Sequence, residues 1–181
     1  MDLNEKTIAK EKIFNGRIID LYVEDVELPN GKVSKREIIK HPGAVAVIAV
    51  TNENKIVMVR QYRKALEKAI VEIPAGKLEP GEEPLTTAKR ELEEETGYEC
   101  EEMKLLLSFY TSPGFADELV YLYVASGLTK KTEQQDLDED EFVEIVEVSL
   151  EEAQKMIETQ EIHDAKTAYA VLYLAMNAMK E

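Results

Sequence analysis

The chain has 181 residues, 44% of them apolar and 33% charged, which is enough for one domain of ordinary size with a small extension and a buried core. Acids outnumber bases 37 to 22, a formal net charge of −15. A surface that negative repels a polyphosphate backbone and an anionic membrane, so neither nucleic acid nor membrane is an expected partner.

Residues 7–40 read as β structure ending in a hairpin, because Pro29-Asn30-Gly31-Lys32 separates two β-rich runs and Asn-Gly is a strong hairpin signal. His41-Pro42-Gly43 punctuates the chain, which places an N-terminal antiparallel β extension at 1–42 and a main domain at 43–181. Ala44–Val50 is a continuous apolar run and reads as a buried strand; it is far too short to span a membrane. Strands are expected at 55–60 and 70–74, then a helix at 84–96, with Pro84 in its first turn and Gly97 at its stop. Leu85, Ala88 and Leu92 share one face of that helix and are expected in the core. Further strands are expected at 103–110, 119–125 and 142–148, with a polar stretch at 127–141. Ser149-Leu150-Glu151-Glu152 is a capping-box pattern opening a helix to about residue 160, and Asp164 caps a final apolar helix. This order argues for an α+β fold, an α-β-α sandwich, rather than regular βαβ alternation.

One cysteine, Cys100, allows no internal disulfide and fits a reducing, cytoplasmic setting. The first ten residues carry no apolar signal segment. Two distant histidines, His41 and His163, do not suit a zinc or copper centre, so any metal would be held by carboxylate oxygens. Both histidines read as structural or capping residues.

The helix at 84–96 ends in Arg90-Glu91-Leu92-Glu93-Glu94-Glu95. Its dipole disfavours each anion there by about 0.3–1 kcal/mol, and the Glu91/Glu95 repulsion adds about 0.2–0.5 kcal/mol. Stepping about 100° per residue from Glu91 puts Glu95 at about +40°, Glu94 at about −60° and Glu93 at about 200°. Glu91, Glu94 and Glu95 therefore converge beside the core face, where an unpaired carboxylate is most costly, while Glu93 points away. A divalent cation would relieve the conflict; a solvated acidic face is the alternative.

Gly76, five residues, Glu82, seven residues, then Arg90-Glu91-Leu92-Glu93-Glu94-Glu95-Thr96-Gly97-Tyr98 resembles the Nudix box. Tyr98 stands where the family usually has an aliphatic residue. The β extension, Glu72-Ile73-Pro74-Ala75-Gly76 and Ser112-Pro113-Gly114-Phe115 resemble the ADP-ribose pyrophosphatase branch, with Pro113 fifteen residues beyond Tyr98. The resemblance implies the Nudix α-β-α sandwich with a mixed sheet. It implies hydrolysis of the pyrophosphate bond of ADP-ribose to AMP and ribose 5-phosphate, with two or three Mg²⁺ ions, or Mn²⁺.

By the same resemblance, Glu91 and Glu95 are metal ligands with the backbone carbonyl of Ala75, and Glu94 is a catalytic carboxylate that ligates the metal directly or through water. Glu82 either pairs with Arg90 to fix the loop or contacts metal through water, Arg90 is structural, and Gly76 and Gly97 serve close approach and helix termination. A glutamate from the acidic stretch 136–141 is expected to deprotonate the attacking water, Glu139 as base and Glu141 as metal contact. Arg63 matches a phosphate-contacting arginine and Arg36 one near the nucleotide, Arg60 is a further candidate cation or a surface arginine, Pro113 marks the branch, Tyr22 or Phe14 is a candidate for stacking on adenine, and Glu72 is a candidate acceptor from a ribose hydroxyl or the adenine amine. The resemblance also implies a homodimer that exchanges the N-terminal β element. Other nucleoside diphosphate sugars or dinucleotides stay open as substrates, and a non-catalytic ADP-ribose sensor is the remote alternative.

Overall fold

A computed structural model describes residues 2–131 and 142–179. The chain divides into two units: the first takes the residues up to Gly43 together with Phe109–Val120, and the second takes Ala44–Ser108 and the residues from Tyr121 on.

The first unit contains a three-stranded antiparallel sheet, β1 (Lys6–Asn15), β2 (Asp20–Glu27) and β3 (Val33–Lys40), in that order. The Asn30-Gly31 turn closes as its residues dictate: Gly31 has φ 78°, and Leu28 N–H donates to the Lys32 carbonyl. A further strand, β1, precedes the hairpin and pairs with β2 along its length. It is exposed at every position, including Ile8, Ile13 and Phe14. A sheet of this size has little core of its own.

The second unit is built on β4 (Ala44–Val50), β5 (Ile56–Arg63), β6 (Lys68–Glu72), β7 (Ala75–Lys77), most of β8 (Tyr98–Tyr110), most of β9 (Leu119–Lys130) and β10 (Val143–Val148). The path is β10-β5-β4-β9-β8, with β6 on β5 and β7 on β4. The helices are α1 (Pro84–Thr96), α2 (Leu150–Glu158) and α3 (Ala165–Ala178). Period-two alternation sends β5 side chains to two cores. Val57 joins Val45, Val47, Ala88 and Leu92 against α1. Ile56 and Met58 join Val71, Val148, Ala153 and Val171 against α2 and α3. Helices thus lie on both faces of the sheet, the expected sandwich.

Three local expectations are corrected. Leu85 is 41% exposed, and Thr87 is buried in its place. Leu85 stands in the first turn behind Pro84, while Thr87 turns inward and its hydroxyl donates to Glu82 Oε2 at 2.9 Å. β8 begins at Tyr98, directly after the helix stop, and β9 runs on to Lys130, into the stretch read as polar loop. A strand with one wet face tolerates the polar residues that masked both ends.

β4 shares one edge between two partners: Ala44–Ala46 pair with β7 and Ala49–Val50 with β5. Ile73-Pro74 passes between them, and Val47 N–H donates to the Pro74 carbonyl at 2.9 Å. This split sets the backbone of Ala75 and Gly76 against the end of α1.

Candidate active site

The core face of α1 carries its acids inward. Glu91 is 8% exposed and Glu95 1%, beside Ala88 and Leu92. Glu95 Oε2 accepts from the Ala75 N–H at 3.0 Å. Gly76 packs so closely on Glu91 that a Cβ at this position would overlap the Glu91 carboxylate. Glycine thus leaves the Glu91 carboxylate room against the strand.

Arg90 is the hub of the outer carboxylates. Its Nη1 lies 2.7 Å from Glu94 Oε2 and 2.9 Å from Glu91 Oε1, and its Nη2 lies 3.2 Å from Glu82 Oε2. Burial works against the Arg90 charge, but hydrogen bonds to Glu82 and Glu94 and the charge of Glu91 outweigh it and hold its pKa above the ordinary value. The Arg90 hydrogen bond in turn holds Glu82 below the usual carboxylate range. Glu93 points elsewhere and pairs with Lys131. Gly97 stops the helix with φ 69°, its N–H donating to the Glu93 carbonyl. Tyr98, the departure from the family pattern, is buried and donates its hydroxyl to Glu147 Oε1 at 2.8 Å, so a polar tip is satisfied where an aliphatic residue would have none.

A second cluster adjoins the same loop. Glu72, 3% exposed, takes Arg63 Nε on Oε2 at 2.5 Å and Lys166 Nζ on Oε1 at 2.5 Å. Burial opposes the Arg63 charge, but Glu72, with Glu95 and Asp164, raises its pKa above the ordinary value. Thr167 Oγ1 accepts from the Ile73 N–H at 3.0 Å, tying the start of α3 to the backbone ahead of Ala75. Lys166 and Thr167 were not singled out from the sequence. One signal was present: a lysine in the first turn of a helix opposes the macrodipole and implies a tertiary anion.

Arg60 is not brought to this cluster. It alternates with Arg63 across β5 and pairs with Glu144 and Glu161 at 3.6 and 3.4 Å. In the first unit, Arg36 grips Glu5 with two prongs, Nε to Oε2 at 2.8 Å and Nη2 to Oε1 at 2.6 Å. Pro113 and Phe115 line a cleft of about 290 Å³ with these two residues. Tyr22 has Lys10 over its ring at 4.1 Å and its hydroxyl 3.4 Å from Asp20 Oδ2, so a stacking base would compete with a cation. His41 accepts from the Gly43 N–H through Nδ1, a turn role. Burial pushes the Cys100 thiol up, which works against the thiolate. Glu139 and Glu141 lie outside the described residues.

A family profile described as the NUDIX domain matches residues 40–170, and one described as the nucleoside diphosphate sugar hydrolase N-terminal domain matches residues 5–39. The chain belongs to the Nudix family of hydrolases. It is 66% identical to the ADP-ribose pyrophosphatase of Bacillus subtilis strain 168 over 174 residues, 96% of this chain and 94% of that one. It is 67% identical to the methanol dehydrogenase activator of Bacillus methanolicus over 172 residues, 95% and 93% of the two chains. Its fold matches a crystal structure described as an ADP compounds hydrolase, with TM-score 0.84, 22% identity and coverage of 99% and 97%.

Proposed function

We propose that the chain hydrolyses the pyrophosphate bond of ADP-ribose, releasing AMP and ribose 5-phosphate, with Mg²⁺ held at the acidic end of α1. The observation that carries the reaction type is the pair of buried carboxylates, Glu91 and Glu95, packed against Gly76 and the Ala75 backbone. The likeness to the Bacillus subtilis ADP-ribose pyrophosphatase supports the substrate.

The donor set fits the ion. Among the described residues no three His, Cys, Asp or Glu side chains gather as a metal site. Mg²⁺ does not need one, because it is commonly held by one or two carboxylates and completed by water and phosphate oxygens. Glu91, Glu95 and the Ala75 carbonyl would hold it, with Glu141 as a further contact; two or three ions, or Mn²⁺ in their place, complete the reading. Bound there, the metal neutralises the diphosphate, polarises a phosphoryl oxygen and acidifies the attacking water.

The chain's own residues do the rest. Arg90 aims Glu82, Glu91 and Glu94. Glu94 orients the attacking water, and Glu139 takes its proton as general base. Arg63 offers its guanidinium to a phosphate oxygen, and Glu72 holds Arg63 while each of its oxygens keeps a lone pair with which to accept from a ribose hydroxyl or the adenine amine. Arg36, Pro113 and Tyr22 contact the nucleotide side, with Arg36 exchanging Glu5 for substrate. The extension 1–42 serves dimerisation and substrate contact and 43–181 the chemistry. The exposed apolar residues of β1 support a homodimer with an exchanged N-terminal element, and the cytoplasm is the proposed compartment.

A second reading keeps the chemistry and changes the substrate to another nucleoside diphosphate sugar, favoured by the match at residues 5–39. Both are tested by product analysis on ADP-ribose and UDP-glucose with and without EDTA. AMP and ribose 5-phosphate are expected from ADP-ribose, lost with EDTA and restored by Mg²⁺. Faster cleavage of UDP-glucose selects the second reading, and no turnover of either overturns both.

A further inference from the structure

Lys166 is the second residue of α3, where the macrodipole disfavours a cation, and only 16% of its side chain is exposed. Its Nζ lies against Glu72 Oε1 and, at 3.0 Å, Asp164 Oδ1. Asp164 Oδ1 also accepts from the Thr167 N–H, so the helix cap and the lysine share one oxygen. The other Glu72 oxygen takes Arg63 through Nε. Among the described residues this is the one hydrogen bond the Arg63 guanidinium makes, and both its Nη groups keep their donors.

An arginine and a carboxylate left to themselves favour a two-pronged pair through two parallel N–H bonds. Arg36 and Glu5 in the same chain form that pair. At Glu72 the second oxygen is taken by Lys166. We propose that Lys166 is a positioning residue: by occupying Glu72 Oε1 it limits Arg63 to an edge-on grip through Nε and leaves both Nη groups to receive a substrate phosphate oxygen. Without it, Glu72 closes on Arg63 through both oxygens and withdraws one Nη. The inference rests on the reading of Arg63 as a phosphate contact.

The test is a double-mutant cycle on the full chain, with steady-state kinetics on ADP-ribose and thermal melting of each variant. Lys166→Met raises KM about tenfold with kcat within about twofold, the size expected when a charge-assisted hydrogen bond to bound substrate is lost. Lys166→Arg, which keeps a cation on Glu72 Oε1, recovers most of the loss. In an Arg63→Ala background Lys166→Met has no further effect on KM, because the residue through which it acts is gone. The same KM rise in both backgrounds, or a fall in kcat at unchanged KM, overturns the proposal. If Lys166→Met fails to fold, Lys166→Gln takes its place in the cycle and is judged by the same outcomes. Absence of wild-type turnover would instead count against the substrate, and the cycle then runs on the nucleoside diphosphate sugar that is cleaved.

Discussion

Glu95 combines almost complete burial, a hydrogen bond from the Ala75 N–H and a place at the unfavourable end of a helix dipole. A carboxylate so placed works against the helix dipole, the charge of Arg63 supplies part of the compensation, and the proposed metal would supply more. Glu95→Gln keeps the acceptor for Ala75 and removes the charge. It should lower kcat/KM by about a hundredfold or more, as loss of a preorganised electrostatic group does, while the metal-free melting temperature holds or rises. Normal turnover with a large stability loss would mean that Glu95 serves an ion pair. Gly76→Ala tests the approach from the other side. Its Cβ falls on the Glu91 carboxylate, the far end of a side chain that must then shift, so weakened Mg²⁺ activation with little change in denaturant melts is expected.

Among the elements, α1 is held by its core face. Leu92 is buried and contributes about 1.5–3 kcal/mol by that burial, which offsets the acidic C-terminal turn. By contrast, α2 depends on its capping box: Ser149 accepts from the Glu152 N–H, and Glu152 accepts in return from the Ser149 N–H at 2.7 Å. Hydrogen bonds from the Ser149 backbone first, then its side chain and Lys55, lower the Glu152 pKa to about 2 from 4.5. A depressed carboxylate adds stability above its unfolded pKa and loses it as pH falls through the folded value. Melts between pH 5 and pH 2 should therefore show a destabilising slope that Glu152→Gln flattens. Equal slopes for both proteins would remove the capping box from the acid response. Ser149→Ala should cost about 0.5–2 kcal/mol at neutral pH, within the range measured for cap removal.

For the whole molecule, a net charge of −15 has to coexist with a substrate that carries a diphosphate. The second unit answers this with cations held on buried carboxylates, so that Arg63 and Arg90 are fixed in place rather than screened at the surface. The first unit presents Ile8, Ile13 and Phe14 on a fully exposed strand, a face that a second copy is proposed to cover. Sedimentation should give a dimer, and Ile13→Lys should shift it toward monomer with activity reduced. A wild-type monomer with full activity would sink the shared-site arrangement.

Most of the architecture was readable without coordinates, because the signals behind it are local. Apolar runs, the Asn30-Gly31 turn, Pro84 and Gly97 at the ends of α1, and the capping box at Ser149 each depend on a few neighbouring residues. The convergence of Glu91 and Glu95 was legible for the same reason, since helical pitch alone sets it. Leu85 was misplaced because periodicity says which face a residue shares, not how far along the helix the sheet reaches. The strand β7 was missed because three residues carry no pattern. What decided the second half of the site was contact between residues far apart in the chain. Lys166 meets Glu72 and Thr167 meets Ile73 only after the sheet and α3 have packed, and Arg60 and Arg63 separate only when alternation along β5 is given two different cores to face. Local stereochemistry is written in neighbouring residues, whereas pairing across long chain separations is settled by packing.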